Sequence, residues 1–466
     1  MMSQRWHHHV DTHYNFGWGT EHMRVTHMIF LSMVGLTMTG CALSDLLEGT
    51  DPPTGTTIDP RDISTYEGAV GVYRGARFSM ETAINETSYD VSLFTDELST
   101  TGSGYLTDSR FASGTNRDGF VSLKAYGLWQ ETRVRAAQAR TLLLQYGPPS
   151  ARPLIGHAYA MEAHAIMLMA ETLCSGIPLT TVPFEGGMQL SPGLSTAELL
   201  KRAVALFDTA LQYGRDSLPV ATLARVGKGR ALLSLGQYKD AAAAVSDVTM
   251  DAAFRVQFTG TPNVNTLDVP FWADTTVRRA DLQDRFVLNR EGANGLEWVA
   301  DSVHQQDPRL PMKTVNDTFA KPFRQVKYVS RISSMTVADG IQARLIEAES
   351  QLQPATAPNG PWLATLNVAR ATVGLGPLQD PGNATARIDL LFRERALWFY
   401  LTGQRLGDLR RLVRQYGRIP IQVYAVGAYP YGNASVTVYG DEYVFVPPHT
   451  EQVHNPLYKG CIDRRP

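Results

Sequence analysis

The clearest alternation of apolar and polar positions lies in residues 195–211, where Leu200, Val204, Phe207 and Leu211 recur at i, i+4, i+7 and i+11. That spacing is one stripe of an α-helix, and the stripe requires an apolar neighbour. Ser195 and Glu198 stand at capping-box spacing, so each side chain can answer a backbone amide at the helix start. Helical patterning begins at about Thr65 and extends through 126–146, where residues 133–144 are a run of good helix formers. A further helix is expected at 154–173, rich in Ala, Met and Leu and ending before Gly176-Ile177-Pro178. From about 250 to 337 the helical period fades into an irregular insertion with short strands, among them Phe286-Val287-Leu288 and Gln325-Val326-Lys327-Tyr328-Val329. Helices return at 340–352, 361–373 and 386–415. In the tail, 434–439 and 442–446 alternate as two strands of a hairpin about Gly440-Asp441.

A neighbour for the 195–211 stripe is the segment from Gly229 to Ala241, followed by 242–248. Gly236 suits a tight turn, Tyr238 a wedge between two antiparallel helices, and Gly229 and Ala241 their close approach. The segment resembles one tetratricopeptide unit, and the helices before it have the lengths of degenerate units. The fold class expected is mainly α: tetratricopeptide-like hairpins in one large body, with an irregular insertion and short β-hairpins.

The first 60 residues read differently. Arg24, an apolar run over 28–38 and the small residues Thr39-Gly40 are the parts of a secretory signal, and Cys41 directly follows them. The apolar run is too short to span a bilayer. The whole resembles a bacterial lipobox with Met38 in place of the usual leucine, which makes Cys41 the expected lipidation site. Residues 1–40 are then a leader, with translation expected to start at Met23 and the signal peptide at 23–40. His7, His8, His9, His13 and His22 would be absent from the mature chain and are poor evidence for a metal site. Residues 41–60, rich in Pro, Gly and Thr, read as a lipidated tether; its 19 residues after Cys41 give an end-to-end distance of about 25 Å. Residues 61–466 form the body.

Composition narrows the function. The 466 residues are 19% charged with a net charge of −2, so there is no basic field to attract nucleic acid. Three cysteines exclude a disulfide-built scaffold. Cys174 and Cys461 remain beside Cys41, and the sequence leaves a disulfide and two separate thiols equally open. No HExxH, GxSxG, Walker A or Rossmann glycine pattern occurs, and the Gly227-Lys228-Gly229-Arg230 segment lacks the form of a phosphate loop. His157, His164 and Glu171 share a helical face, but i, i+7, i+14 spans about 21 Å and cannot hold one metal. No enzyme, metal or cofactor is expected.

Three blocks occur in a telling order: residues 341–352, then 366–375, then Arg393-Glu394-Arg395, Gly403-Gln404-Arg405 and Asp408-Leu409-Arg410-Arg411. With Asp307-Pro308-Arg309, Gly176-Ile177-Pro178 and the ending from Pro447-Pro448 to Asn455-Pro456, they make the chain resemble the SusD/RagB family of nutrient-binding outer-membrane lipoproteins. Within the third block, Leu390, Leu391, Leu397, Trp398 and Leu401 form an apolar face that includes Glu394. A carboxylate there needs a partner. Arg405 and Asp408, three apart, are placed to interact locally; Glu394 and Arg405, about 16 Å apart along one helix, are not. Glu394, Arg405 and Asp408 are therefore read as residues that hold helices together.

The resemblance implies a surface-facing, outer-membrane-anchored lid over a SusC-like TonB-dependent barrel, catching a glycan or another oligomeric nutrient. Glycan binding calls for aromatic platforms with polar neighbours. Tyr105, Phe111, Phe271, Trp272 and Trp298, in irregular segments, are the candidates. An alternative is a periplasm-facing helical-repeat lipoprotein that scaffolds envelope assembly.

Overall fold

The computed structural model describes residues 62–100, 110, 120–184, 187–260, 263, 265, 267, 277–280, 307–314, 323–358, 360–433 and 436–466, all within the compact unit Ile58–Pro466. Cys41, the leader and tether, the strand at 286–288, and Tyr105, Phe111, Phe271, Trp272 and Trp298 lie outside the described residues.

Among the described residues six α-helices come first: α1 (Tyr66–Phe94), α2 (Phe120–Tyr146), α3 (Arg152–Thr172), α4 (Thr196–Gly214), α5 (Leu218–Ser234) and α6 (Tyr238–Val245). Thr65 caps α1 by accepting from Gly68 N, and Ala69, Tyr73, Ala76, Met80 and Ala83 make its buried stripe. Each helix packs on the next in the sequence. α3 is buried on nearly every side, as its Ala, Met and Leu content permits, and is the axis of the body. The Ser195–Glu198 capping box forms, and Leu200 and Phe207 are buried, with Val204 and Leu211 packed beside them.

The tetratricopeptide-like segment is the helical hairpin α5–α6. Gly236 turns the chain at φ +74°. At Gly229 a Cβ would lie 2.8 Å from Val245 Cγ1, so only glycine lets the two helices approach so closely.

After α6, the strands β4 (Ala253–Val256) and β8 (Met335–Asp339) pair antiparallel and join the two ends of the insertion. Its described interior holds β5 (Val277–Ala280), paired with β1 (Leu98–Thr100), and the hairpin of β6 (Met312–Thr314) and β7 (Phe323–Gln325). The expected strand at 325–329 thus ends at Gln325, whose side chain accepts from the amides of Lys327 and Tyr328 and turns the chain. A small pair, β2 (Ile177–Pro178) and β3 (Gly193–Leu194), follows α3.

The C-terminal part contains α7 (Gly340–Gln351), α8 (Trp362–Ala371), α9 (Ala384–Trp398), α10 (Arg405–Arg414) and the short α11 (Pro420–Val423) and α12 (His449–His454). Two expectations are corrected here. The single helix over 386–415 is two, α9 and α10, because Leu401 (φ +56°) and Gly403 (φ +74°) reverse the chain. The tail hairpin is formed one segment earlier, by β9 (Ala428–Asn433) and β10 (Val436–Val438). The 442–446 segment is drawn into the helical core instead: Phe445 bridges Leu173 and packs edge-on at 4.8 Å from Phe94.

Cys174 and Cys461 form a disulfide, tying the C-terminal tail to the end of α3. The bond closes a 287-residue separation, and chain-entropy arguments assign such bonds about 2–5 kcal/mol. Cys461→Ser is expected to lower the unfolding free energy by about that amount in a denaturant titration. Reductant should destabilise the parent and leave the variant unmoved.

The two core histidines predict a pH dependence. Burial lowers His157 from 6.5 to about 4, with Arg77 adding to it, and lowers His164 to about 3, with Arg230 adding. Tyr73 Oη lies 2.7 Å from His157 Nδ1, and His164 packs against Trp129. Both rings are neutral in the fold but take up a proton in the unfolded chain below about pH 6.5. Their contribution is complete above that pH and is lost as the pH falls toward 4. Urea midpoints between pH 7 and 4.5 should decline, and His164→Gln should make that slope shallower.

Candidate functional site

The third sequence block becomes a charged interior. Glu349 on α7, fully buried, accepts from both terminal nitrogens of Arg411 and from the hydroxyl of Tyr416. Arg411 also donates to Asp408, and Asp408 accepts two further bonds of 2.8 Å from Arg395 on α9. Residues 395 and 408 would stand about 20 Å apart on one straight helix. The turn at 399–404 is therefore what makes their bidentate pair possible, and a Cβ on Gly403 would press within 3.1 Å of Ser88 on α1. Burial pushes the Asp408 carboxyl up, but Arg395 and Arg411 outweigh it and hold it below the usual range. Arg411 is correspondingly held well above its ordinary value by Glu349 and Asp408, against the effect of burial.

Glu394, on the apolar face as expected, is 2% exposed and accepts from Arg309 at 2.5 Å and Arg370 at 2.7 Å. Arg309 is oriented by Asp307, which accepts from its backbone and side chain. Asp408 thus spends its oxygens on Arg395 and Arg411, and Arg405 instead lies in the field of Glu97, stabilising that buried carboxylate. Glu97 accepts from Ser92 Oγ and Leu401 N, joining the end of α1 to the α9–α10 turn. Four charged groups of the block, Glu394, Arg395, Asp408 and Arg411, tie α7, α8, α9 and α10 together; this is a frame for a site.

Two features adjoin that frame. In the β1–β5 pair, Thr100 stands opposite Val277 and Leu98 opposite Ala280. Thr100 and Val277 therefore stand at one end of the ladder and Leu98 and Ala280 at the other. Arg110, next to Phe111, has its guanidinium 5.4–5.5 Å from the rings of Tyr424, Tyr439 and Tyr443 and donates to the Glu442 carbonyl. Tyr439 in turn donates to Asp96 at 2.9 Å. Burial lowers the Arg110 pKa, opposed by Asp96, and the π-faces offset part of the lost hydration.

The second feature is a cleft of about 280 Å³ between the β7–β8 segment, the start of α7 and the α9–α10 turn. Lys327, Ser334, Asp339, Gln342 and Trp398 are among its walls. Asp339 caps α7 by accepting from Gln342 N at 2.8 Å, and burial raises its carboxyl. Lys327 Nζ donates to the Tyr400 carbonyl at 2.5 Å, and burial lowers its ammonium to about 8. Arg309 lies 5.3 Å from the centre of the Trp398 ring, so the Glu394 cluster supports this wall.

Sequence reasoning missed the cleft. Its residues come from positions 327–342 and 398–402, and no spacing announces that meeting; Asp339 directly before a helix was the one legible sign.

Glu394→Gln would leave Arg309 and Arg370 short of a buried counter-charge. A loss of about 3–5 kcal/mol in urea unfolding is expected, whereas Arg135→Ala, which removes the exposed i,i+4 pair with Glu131, should barely shift the midpoint.

Neither a family model nor a curated protein matches the chain. Solved structures do. A SusD-like protein from Bacteroides fragilis superposes with TM-score 0.62 at 13% identity, covering 87% of this chain and 98% of that one. A SusD superfamily protein from Parabacteroides distasonis gives 0.62 at 12% identity, with 87% and 99% covered. Surface glycan-binding protein A from Bacteroides thetaiotaomicron gives 0.59 at 11% identity, with 86% and 100% covered. The resemblance drawn from the sequence is thus carried by the fold across the body of the chain.

Proposed function

We propose, from the premise that this chain has the SusD-like fold, that it is a nutrient-binding lipoprotein of the outer membrane. It is held at the cell surface through Cys41, captures a glycan or another oligomeric nutrient, and delivers it as a lid to a SusC-like TonB-dependent barrel. The observation that carries this reading is the coverage of nearly the whole length of SusD-like structures by one continuous helical body. The glycan class is supported by the surface glycan-binding protein among the similar structures. Binding needs no chemistry of bond breaking: aromatic faces take the apolar side of a sugar ring, and polar neighbours take its hydroxyls. The tether at 41–60 lets the body swing while the lipid keeps it beside the barrel.

Two measurements test this. Protease added to intact cells should remove the protein; protection from it would favour the periplasm-facing scaffold instead. Retention of the purified chain on polysaccharide affinity gels should weaken at least about tenfold in Trp272→Ala or Tyr105→Ala, as for an aromatic anchor, with the melting midpoint unchanged. Equal retention of parent and both variants on every polysaccharide would overturn the assignment of these loops.

A further inference from the structure

We infer that Arg110 is a positioning residue for nutrient binding: a guanidinium locked among three tyrosines, kept for the place it fixes and not for stability. This role rests on the proposed function and deepens it, since Arg110 stands directly before Phe111 and in the same stretch of chain as Tyr105. Consecutive Cα atoms lie about 3.8 Å apart, so a fixed residue 110 limits where the aromatic residue after it can reach.

The lock is built from one short part of the tail. Tyr439 directly follows β10, and its amide donates to the Gly427 carbonyl at 2.9 Å, closing the base of the β9–β10 hairpin. The rings of Tyr424 and Tyr443 are tilted by 58° with centroids 4.9 Å apart. The Arg110 guanidinium lies within 5.5 Å of all three centroids, inside the range of a cation–π contact, and the residue is 2% exposed. Tyr439 also holds Asp96 at the end of α1. A residue distant in sequence is thus clasped between α1 and the root of the tail hairpin.

Energetics argue against a role in stability. Arg110 Nε and Nη2 are buried with no hydrogen-bond partner among the described residues, and Nη1 donates to the Glu442 carbonyl across a long 3.2 Å. A buried charge so incompletely answered is costly, and an apolar side chain of similar size would stabilise the fold as well or better. What the apolar chain would not supply is a single place to lie. A planar, rigid cation among three π-faces has one. Backbone geometry points the same way. Arg110 has φ +53° and Asp96 φ +63°, in the left-handed region that non-glycine residues seldom adopt. Such strain persists where the surroundings over-determine the conformation, and it gathers at functional sites.

Arg110→Met keeps the volume, removes the charge and leaves a flexible side chain among the rings. Its urea midpoint should equal or exceed the parent's, while retention on polysaccharide affinity gels should weaken at least about fivefold. Arg110→Lys keeps a cation before the rings and should recover most of that loss. Tyr443→Leu, which removes one π-face from a half-buried position, should weaken retention in the same direction. The role is overturned if Arg110→Met is retained like the parent, if its urea midpoint falls together with its retention, or if Arg110→Lys is retained no better than Arg110→Met. In each of these cases retention of the parent leaves the proposed function standing. A parent retained on no polysaccharide removes the glycan reading, and this role with it.

Discussion

Glu349, Arg395, Asp408 and Arg411 lie where water does not reach them, and each charge has to be answered by another. That requirement organises the C-terminal part. Arg395 reaches Asp408 only because the chain reverses between α9 and α10, and Glu349 brings α7 against the same arginine that Asp408 holds. A non-glycine residue at positive φ, Leu401, is kept in place by the amide bond it donates to the buried Glu97. The turn is costly locally and is compensated by the ion pairs it permits.

The same frame reaches the cleft and the β1–β5 pair. Glu394 fixes Arg309, and Arg309 lies against Trp398 in the cleft wall. Glu97, close to Arg405 and Lys327, stands directly before β1, which pairs with β5. A buried charge network thereby fixes the position of the groups beside it. Buried ion pairs contribute little net stability over apolar packing but constrain geometry closely. The disulfide and the 442–446 segment do similar work at the C-terminal end of α3, where irregular tail backbone is joined to the most buried helix.

Local patterning made most of the helical body legible. The capping box at Ser195, the stripe through Phe207 and the Gly236 turn are short-range devices, and each was found where its residues placed it. Glu394 on an apolar face called for a partner, and it has two. The break between α9 and α10 was less accessible. Residues 386–415 read as continuous helix because the helix formers around Leu401 outnumber Gly403, and local propensity does not register that Asp408 is worth more beside Arg395 than one turn further along.

Sequence alone determined the fold class of this protein, through periodicity and the ordered blocks between 341 and 411, because these depend on residues close together in the chain. Tertiary structure decided what distance along the chain conceals. It decided that Cys174 meets Cys461, that residues 442–446 join α3 and not a hairpin, that Thr100 stands opposite Val277, and that Lys327, Asp339 and Trp398 share one cleft. The physical reason is common to all four: such contacts are selected by the burial of whole faces and the pairing of buried polar groups, energies summed over many residues at once, to which no single segment holds the key.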